Sequence, residues 1–531
     1  MEFDAIIRGG TVADGSGAPR FRADLGLRGG SIAAVLEPAE AAAATAARVI
    51  DASGLIVAPG FIDLHSHSDW VVPIPEHASI LRPFLLQGVT TIVGGNCGFS
   101  VAPIRTERAA LLDASGQMLS ERRFEWQWRE VAEYGAYLKR QGLALNVAHL
   151  AGHGSIRLSV MGSSPAEPSA EQLREMQAMV ERAMGDGAVG LSTGLGYFPG
   201  MIAKPPELEA LAKVAAKAGG VLTSHLRAYS PGSAFFTGPE PHNLQAVNEM
   251  VEVARAAGAP LQISHLIFVG RRSWPSVSTV LAGIERARDS GADVAFDTFP
   301  YTCGNTTVRV FYPAWAQNGL EQLLNSQDGW ERLRTEFAPI RGYLAGSTQL
   351  MWAVKPELRN LEGKFFGEIA ELLKLDPVDA YLTVTRESGT RARILNHRYS
   401  GDDTDEQALR AAMAHPLNLF EMDTILTSHG HQNPASFGTY PRILGHYVRE
   451  LKLLGLDEAI RRMTGAAAVR MHLRGRGLVK AGYAADLCIF DPATIGCAAD
   501  ARNPAQEVAG IEHVLVNGRA VVGDGKWCGD R

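Results

Sequence analysis

Between residues 57 and 428, short apolar runs alternate with amphipathic stretches of helical period, and this alternation constrains the fold more than any other feature. Candidate strands fall at 57–65, 89–97, 145–150, 187–192, 221–225, 261–265, 293–298 and 423–428. The intervals 170–184, 206–218, 243–257 and 277–290 read as amphipathic helices, each followed soon by a Gly. Eight such units predict an α/β fold, a closed (β/α)8 TIM barrel over residues 57–474. More than a hundred residues separate the last two runs, far beyond an ordinary βα loop. An inserted lid or subdomain is therefore expected at 303–400, with a helix at 361–380.

The two ends have a different texture. Residues 3–60 offer short strands bounded by Gly and Asp, and 485–490 and 514–516 repeat the pattern, so antiparallel pairing is expected. Each end alone is too small to bury a sheet face, which predicts one composite β-sandwich domain from residues 1–56 and 475–531. The Ala-rich patch 41–47 reads as a surface loop.

A net charge of −6 gives no reason to expect nucleic acid or an anionic membrane as partner. The first residues lack the basic and apolar regions of a signal peptide, and no apolar run reaches the ~18 residues needed to span a bilayer. Five scattered cysteines argue against a disulfide framework. Together these predict a cytoplasmic enzyme acting on a small molecule; a homo-oligomer is compatible with the sequence, but nothing specifies one.

In a (β/α)8 barrel the chemistry sits where the strands end. The first run finishes in His65-Ser66-His67, and on an extended strand these two imidazoles would project to one side about 7 Å apart, close enough to share an ion. The second run ends in Gly95-Asn96-Cys97-Gly98, the fifth in His225, the sixth in His265, and the eighth in His429 and His431. Any one of these alone would be an ordinary polar or small buried residue. Five strand ends carrying ligand-type side chains at once point to a metal centre, and thiolate with imidazole suits Zn²⁺.

These stretches, with Pro59-Gly60-Phe61-Ile62-Asp63-Leu64, Gly152-His153-Gly154-Ser155-Ile156-Arg157, Gly190-Leu191-Ser192-Thr193-Gly194, His225-Leu226-Arg227, Ile263-Ser264-His265 and Gly438-Thr439-Tyr440-Pro441-Arg442, resemble the amidohydrolase superfamily. The likeness is to its N-acyl-D-amino-acid deacylase (D-aminoacylase) group and runs in order along nearly the whole chain. The resemblance implies that Cys97, His225 and His265 hold a tightly bound zinc and that His65 and His67 form a weaker second site, for one or two ions in all. Such an ion lowers the pKa of water toward ~7 and polarises the scissile carbonyl.

Members of the group carry an Asp in a Ser-Asp-Gly motif at the end of strand eight, as second-site ligand and proton acceptor. This chain has Ser428-His429-Gly430 at the end of the predicted eighth run, so His429 is expected to replace that Asp as ligand or catalytic base, with His431 as a further proton carrier. The group also binds a substrate carboxylate through a Lys two residues after the strand-six His and an Arg after strand eight. Here those places hold Ile267 and Ala435, which predicts a substrate without an α-carboxylate. Candidate substrate contacts are His153, Arg157, Tyr197, Arg227, Tyr301, Asn305 and His431; Thr306 joins them as a neutral polar group, and His153 and Arg157 could equally be structural. Asp69 and Asp297 are candidates to orient ligating imidazoles. His149, His397, His415 and His472 read as structural.

The predicted activity is zinc-dependent hydrolysis of an amide-type C–N bond. The alternatives are a metal-dependent carbon–carbon lyase, decarboxylase or isomerase, for which loss of the Asp would be expected, an N-acyl-D-amino-acid deacylase proper, and a metal-binding chain without catalysis.

Overall fold

Eight parallel strands follow one another in chain order around a barrel in the computed structural model, which describes residues 2–529 apart from 117, 118, 121, 123 and 318. They are β1 (Phe61–Asp63), β2 (Val89–Gly94), β3 (Asn146–Gly152), β4 (Gly190–Gly194), β5 (Val221–His225), β6 (Leu261–Ile263), β7 (Val294–Thr298) and β8 (Asn418–Phe420). Between β8 and β1 the ring is tied by the chain beyond β8: the Met422 N–H donates to Asp63 Oδ1 at 3.0 Å and the Asp423 N–H to the His65 carbonyl at 3.1 Å.

The four helices read from periodicity occur as Ala170–Gly185, Pro205–Lys217, His242–Ala257 and Val277–Asp289. Local chemistry sets their ends. Ser169 accepts from the Gln172 N–H while the Gln172 side chain returns to Ser169, a reciprocal cap that satisfies two orphan donors. Gly258 closes the third helix at φ +68, a conformation with little cost only for Gly. The inward faces, for example Leu208, Leu211, Ala212 and Ala215, join the main core against the strands.

Two strand readings are corrected. Residues 57–65 are not one strand: Ile56–Pro59 pairs antiparallel with Leu487–Phe490 in a seven-stranded sheet, and the barrel begins only after Gly60. A Cβ at Gly60 would overlap the Thr90 side chain, so the chain crosses between sheets where no side chain fits. The eighth strand is Asn418–Phe420, not 423–428. Ile425 and Leu426 are apolar because they bury the loop that follows, not because they pair.

The terminal segments form the seven-stranded sheet and a four-stranded one around a shared core of Ile7, Leu25, Val57, Leu487 and Leu515. The pairing is mixed, not wholly antiparallel: Glu2–Arg8 runs parallel to Thr45–Asp51, and Thr11–Val12 parallel to Ile56–Pro59. Residues 41–47 end a short helix, Pro38–Ala42, and begin the strand Thr45–Asp51, so they are not a simple loop.

After β7 the chain builds a three-stranded antiparallel sheet with Arg393–His397 between Cys303–Thr307 and Thr348–Trp352. Leu333, Phe337, Leu350, Phe366, Tyr381 and Ile394 give it a separate core. The helix expected at 361–380 is divided into Phe366–Leu373 and Pro377–Glu387, because Lys374 turns left-handed at φ +56 and Asp376 caps the second helix. No helix among the described residues is long and apolar enough to cross a membrane.

Candidate active site

Turns at the C-terminal ends of the barrel strands carry the site. His65 and His67 follow β1 in an irregular turn, so their proximity does not come from strand alternation. The Ser66 N–H donates to the Val93 carbonyl at 3.0 Å and the His65 N–H to Asp63 Oδ1 at 3.3 Å, which leaves the two rings 5.5 Å apart, edge to face. Cys97 sits at φ +54 in the turn after β2, where Asn96 Nδ2 donates to the Val93 carbonyl at 2.9 Å. His225 is the last residue of β5, and His265 lies just past β6 at φ +33. Asp297, at the end of β7, holds His265 in place by accepting its N–H at 2.6 Å; Gln262 donates to the other oxygen at 2.7 Å.

The donor atoms converge. Cys97 Sγ lies 3.2 Å from His65 Nε2, 3.7 Å from His225 Nδ1 and 3.5 Å from His265 Nε2, and the last two nitrogens are 2.9 Å apart. Donors bound to one ion at about 2.0–2.3 Å stand about 3.3–3.8 Å from one another along tetrahedral edges, so three of these four separations fall on or close to that scale. Burial pushes His65, His225 and His265 below the usual imidazole range, which keeps them neutral with lone pairs to offer. Burial, and then the Asp423 charge, push the Cys97 thiol up, so its thiolate form calls for a cation beside it. This donor set fits a divalent metal.

A second group consists of His65, His67 and Asp423, with Asp423 Oδ1 3.6 Å from His65 Nε2 and 3.5 Å from His67 Nε2. Burial works to raise the Asp423 carboxyl, but positive charge on His265, a hydrogen bond from His67 and charge on His65 and His67 act to hold it below the usual carboxylate range, the part a bound cation would take where those rings are neutral.

The structure thus places Asp423, and not His429, beside the imidazole pair. His429 accepts from Trp352 Nε1 at 2.9 Å, and His431 Nε2 lies 2.7 Å from the Ala501 carbonyl; neither lines the cavity at the donors. The error follows from the misplaced eighth strand. With β8 ending at Phe420, the first carboxylate beyond its end to reach the donors is Asp423, hidden because Met422-Asp423-Thr424 stands where Ser-Asp-Gly was sought. With a carboxylate in place, the reason for considering lyase, decarboxylase or isomerase chemistry falls away.

Other expectations divide. Tyr197 lines the cavity, its hydroxyl 2.7 Å from His225 Nδ1, and Asn305 lines it as well. His153 and Arg157 do not: both meet Glu207 Oε1, at 2.8 and 3.0 Å, in a buried ion cluster that fastens the helix after β3. Arg227 is also structural, chelating Glu249 and donating to the Met201 and Ala203 carbonyls at 2.8 and 3.0 Å. Tyr301 packs beneath the cavity with Arg442 5.0 Å from its ring. Asp297 fixes His265 through its backbone N–H and stands 3.8 Å from His65 Nδ1, but neither it nor Asp69 makes a hydrogen bond to an imidazole of the site. His149, His397 and His415 pair with Ala102, Gln349 and Glu285. Tyr229, missed in the sequence, lines the cavity with its ring 5.0 Å from His225.

The cavity measures ≈ 170 Å³. Its wall beyond the donors is made by Ile267, Val269, Val310, Phe311, Tyr399 and Ile425, with Asn305 and Asn396 as polar points. Among the described lining residues there is no Lys or Arg.

Comparison with known proteins identifies the family. The amidohydrolase family matches residues 48–339 and 372–522. An N-acyl-D-glutamate deacylase of Alcaligenes xylosoxydans xylosoxydans is 35% identical over 98% of this chain and 94% of its own length. A D-aminoacylase of the same organism is 34% identical over the same shares of the two chains. The crystal structure of the Bordetella bronchiseptica N-acyl-D-glutamate deacylase, complexed with zinc and a phosphonate inhibitor, superposes with a TM-score of 0.80 at 34% identity over 99% of this chain and 98% of that one. On this fold, this donor set and this likeness, the chain belongs to the amidohydrolase family, in the group of the N-acyl-D-amino-acid deacylases, and is a hydrolase of carbon–nitrogen bonds.

Proposed function

We propose that this enzyme is a zinc-dependent amidohydrolase of uncharged N-acyl compounds, which lack the carboxylate of an N-acyl-D-amino acid. Cys97, His225 and His265, with His65 at their edge, would hold the first ion, and His65, His67 and Asp423 would border a second. When bound, the ion supplies Lewis acidity that makes water more acidic and a carbonyl more electrophilic. Asp423 is the base: its carboxylate is ionised, lines the cavity and can take a proton at Oδ1 and pass it to the departing amine nitrogen. The Tyr197 hydroxyl, beside His225 Nδ1, is placed to donate to the scissile carbonyl oxygen as charge develops there.

The observation that carries the substrate reading is the uncharged wall. By the resemblance, Ile267 on the cavity wall corresponds to the carboxylate-binding Lys, and Ala435, wholly buried with Tyr301, Leu395 and Tyr399, to the Arg. Burying a carboxylate against that surface costs several kcal/mol. A second reading, N-acyl-D-amino-acid deacylase proper, is favoured by the names of relatives that align along almost the entire chain. Hydrolysis of N-acetyl-D-amino acids and of their neutral amides by the zinc-loaded protein separates the two. A higher kcat/KM for the free acids would overturn the neutral-substrate reading.

A further inference from the structure

Two amides, Asn305 and Asn396, interrupt the apolar wall of the cavity, and the protein fixes the orientation of Asn305 so that its NH2 is left over. Asn305 lies on the strand Cys303–Thr307, held by Arg393–His397, and reaches the cavity from the inserted segment. Its Oδ1 receives two donors, the Ile425 N–H at 3.3 Å and Asn433 Nδ2 at 2.8 Å. The rotamer of Asn433 is itself set, because its own Oδ1 accepts the Ala435 N–H at 3.0 Å and only its NH2 can face Asn305. A flipped Asn305 would oppose three donors to one another. Its Nδ2 has no partner among the described residues and is not sealed from the cavity.

Among the other polar groups of this wall, Asn396 and Thr307 are engaged, and Thr306 offers a hydroxyl that no side-chain hydrogen bond directs. Asn396 accepts from Thr348 at 3.2 Å and donates to the Tyr399 hydroxyl at 3.4 Å, while Thr307 Oγ1 accepts the Arg309 N–H at 3.2 Å. The wall therefore presents a preorganised neutral donor, with no cation, to whatever lies opposite the metal-ligating side chains.

We infer that Asn305 determines specificity by donating from Nδ2 to a second, uncharged carbonyl oxygen of the substrate, so that the substrate class is an N-acyl amine bearing a neutral carbonyl, as in an N-acylated amino amide. The inference rests on the neutral-substrate reading. A neutral donor satisfies a neutral carbonyl but leaves a carboxylate without charge compensation, and it discriminates against a compound with no oxygen there.

The test compares kcat/KM of the zinc-loaded enzyme for N-acetylphenylalaninamide, N-acetylphenylalanine and N-acetyl-2-phenylethylamine, the chiral probes as both enantiomers, in wild type, Asn305→Asp and Asn305→Ala. Asn305→Asp keeps an oxygen for Ile425 and Asn433 while turning the cavity-facing donor into an acceptor. The wild type is expected to prefer the amide. Both variants are expected to lose about ten-fold or more on the amide and less than about three-fold on the phenylethylamine, a split between substrates that a merely structural role would not give. A wild type that prefers the free acid overturns the neutral-substrate reading and this inference with it. A wild type that prefers the amide, with variants losing equally on both neutral probes, overturns only the role of Asn305. Turnover of none of the three probes by zinc-loaded wild type also overturns the inference.

Discussion

Asp423→Asn removes the proposed base with little change of shape. Asp423 is left-handed at φ +42, a conformation Asn tolerates better than most residues, and its N–H bond to the His65 carbonyl survives the substitution. The asparagine oxygen can still face His65 and His67, which lie 3.6 and 3.5 Å from the present carboxylate oxygen, but it can no longer hold a proton. Loss of a general base costs about 10²–10⁴-fold in rate, or about 3–5 kcal/mol of barrier. The expected result is a fall of that size in kcat, KM within a few-fold, an unchanged thermal midpoint, and one ion still held by Cys97 and its imidazoles. Initial rates of amine release, metal analysis and calorimetry on one preparation measure all of these. His429→Ala is the control: it removes a bond from Trp352 worth about 1 kcal/mol and should leave kcat within about three-fold. A loss below ten-fold in Asp423→Asn, or an equal loss in His429→Ala, would refute the assignment of the base.

Removal of metal by a chelator should abolish hydrolysis, and Cys97→Ser should lower the zinc content of the purified protein by about one ion per chain, read by elemental analysis; full zinc with full activity would sink the proposed centre. Ile267→Lys places a cation in the cavity wall and should raise kcat/KM for N-acetyl-D-amino acids at least ten-fold over wild type; no gain would count against the role given to this wall. Arg227→Ala leaves Glu249 uncompensated and frees the Met201 and Ala203 carbonyls, so it should destabilise the fold by about 3–5 kcal/mol in denaturant melts. A stable Arg227→Ala variant with selectively raised KM would instead make Arg227 a substrate contact.

Much of the barrel was legible because its helices announce themselves through period, caps and terminal Gly, and four of them fall within a residue or so of their predicted ends. Strand edges were less legible. A run such as 56–63 stays apolar through two different sheets, and nothing in its pattern shows that Gly60 carries the chain from one to the other. β8 shows the converse, since Asn418 is buried mid-barrel, bonded to Thr298 at 2.9 Å, and breaks the apolar signal of the true strand. Cys97, His225 and His265, which the structure brings together, stood out because thiol and imidazole at strand ends are rare without purpose. Arg227, Arg157 and His153 could not be assigned, because a buried cation looks the same in sequence whether it meets a substrate or, as here, Glu249 and Glu207.

The misreading of Asp423 has a physical root that also says something about the site. Three donor residues, Cys97, His265 and Asp423, have positive φ without being Gly, at +54, +33 and +42. Each such conformation costs on the order of 1–3 kcal/mol and persists only where neighbouring bonds over-determine it. Those bonds are present: Asp297 receives the His265 N–H, the Asp423 N–H reaches the His65 carbonyl, and Asn96 ties the Cys97 turn to β2. The turns are thus imposed by tertiary structure on residues whose local preference runs against them, so propensity reads past them. The strained turns bring β2, β6 and the chain after β8 to bear on one space. Protein hydrogen bonds fix these turns, so the scaffold itself holds the donor side chains around one space, as a site needs in order to position its ligands.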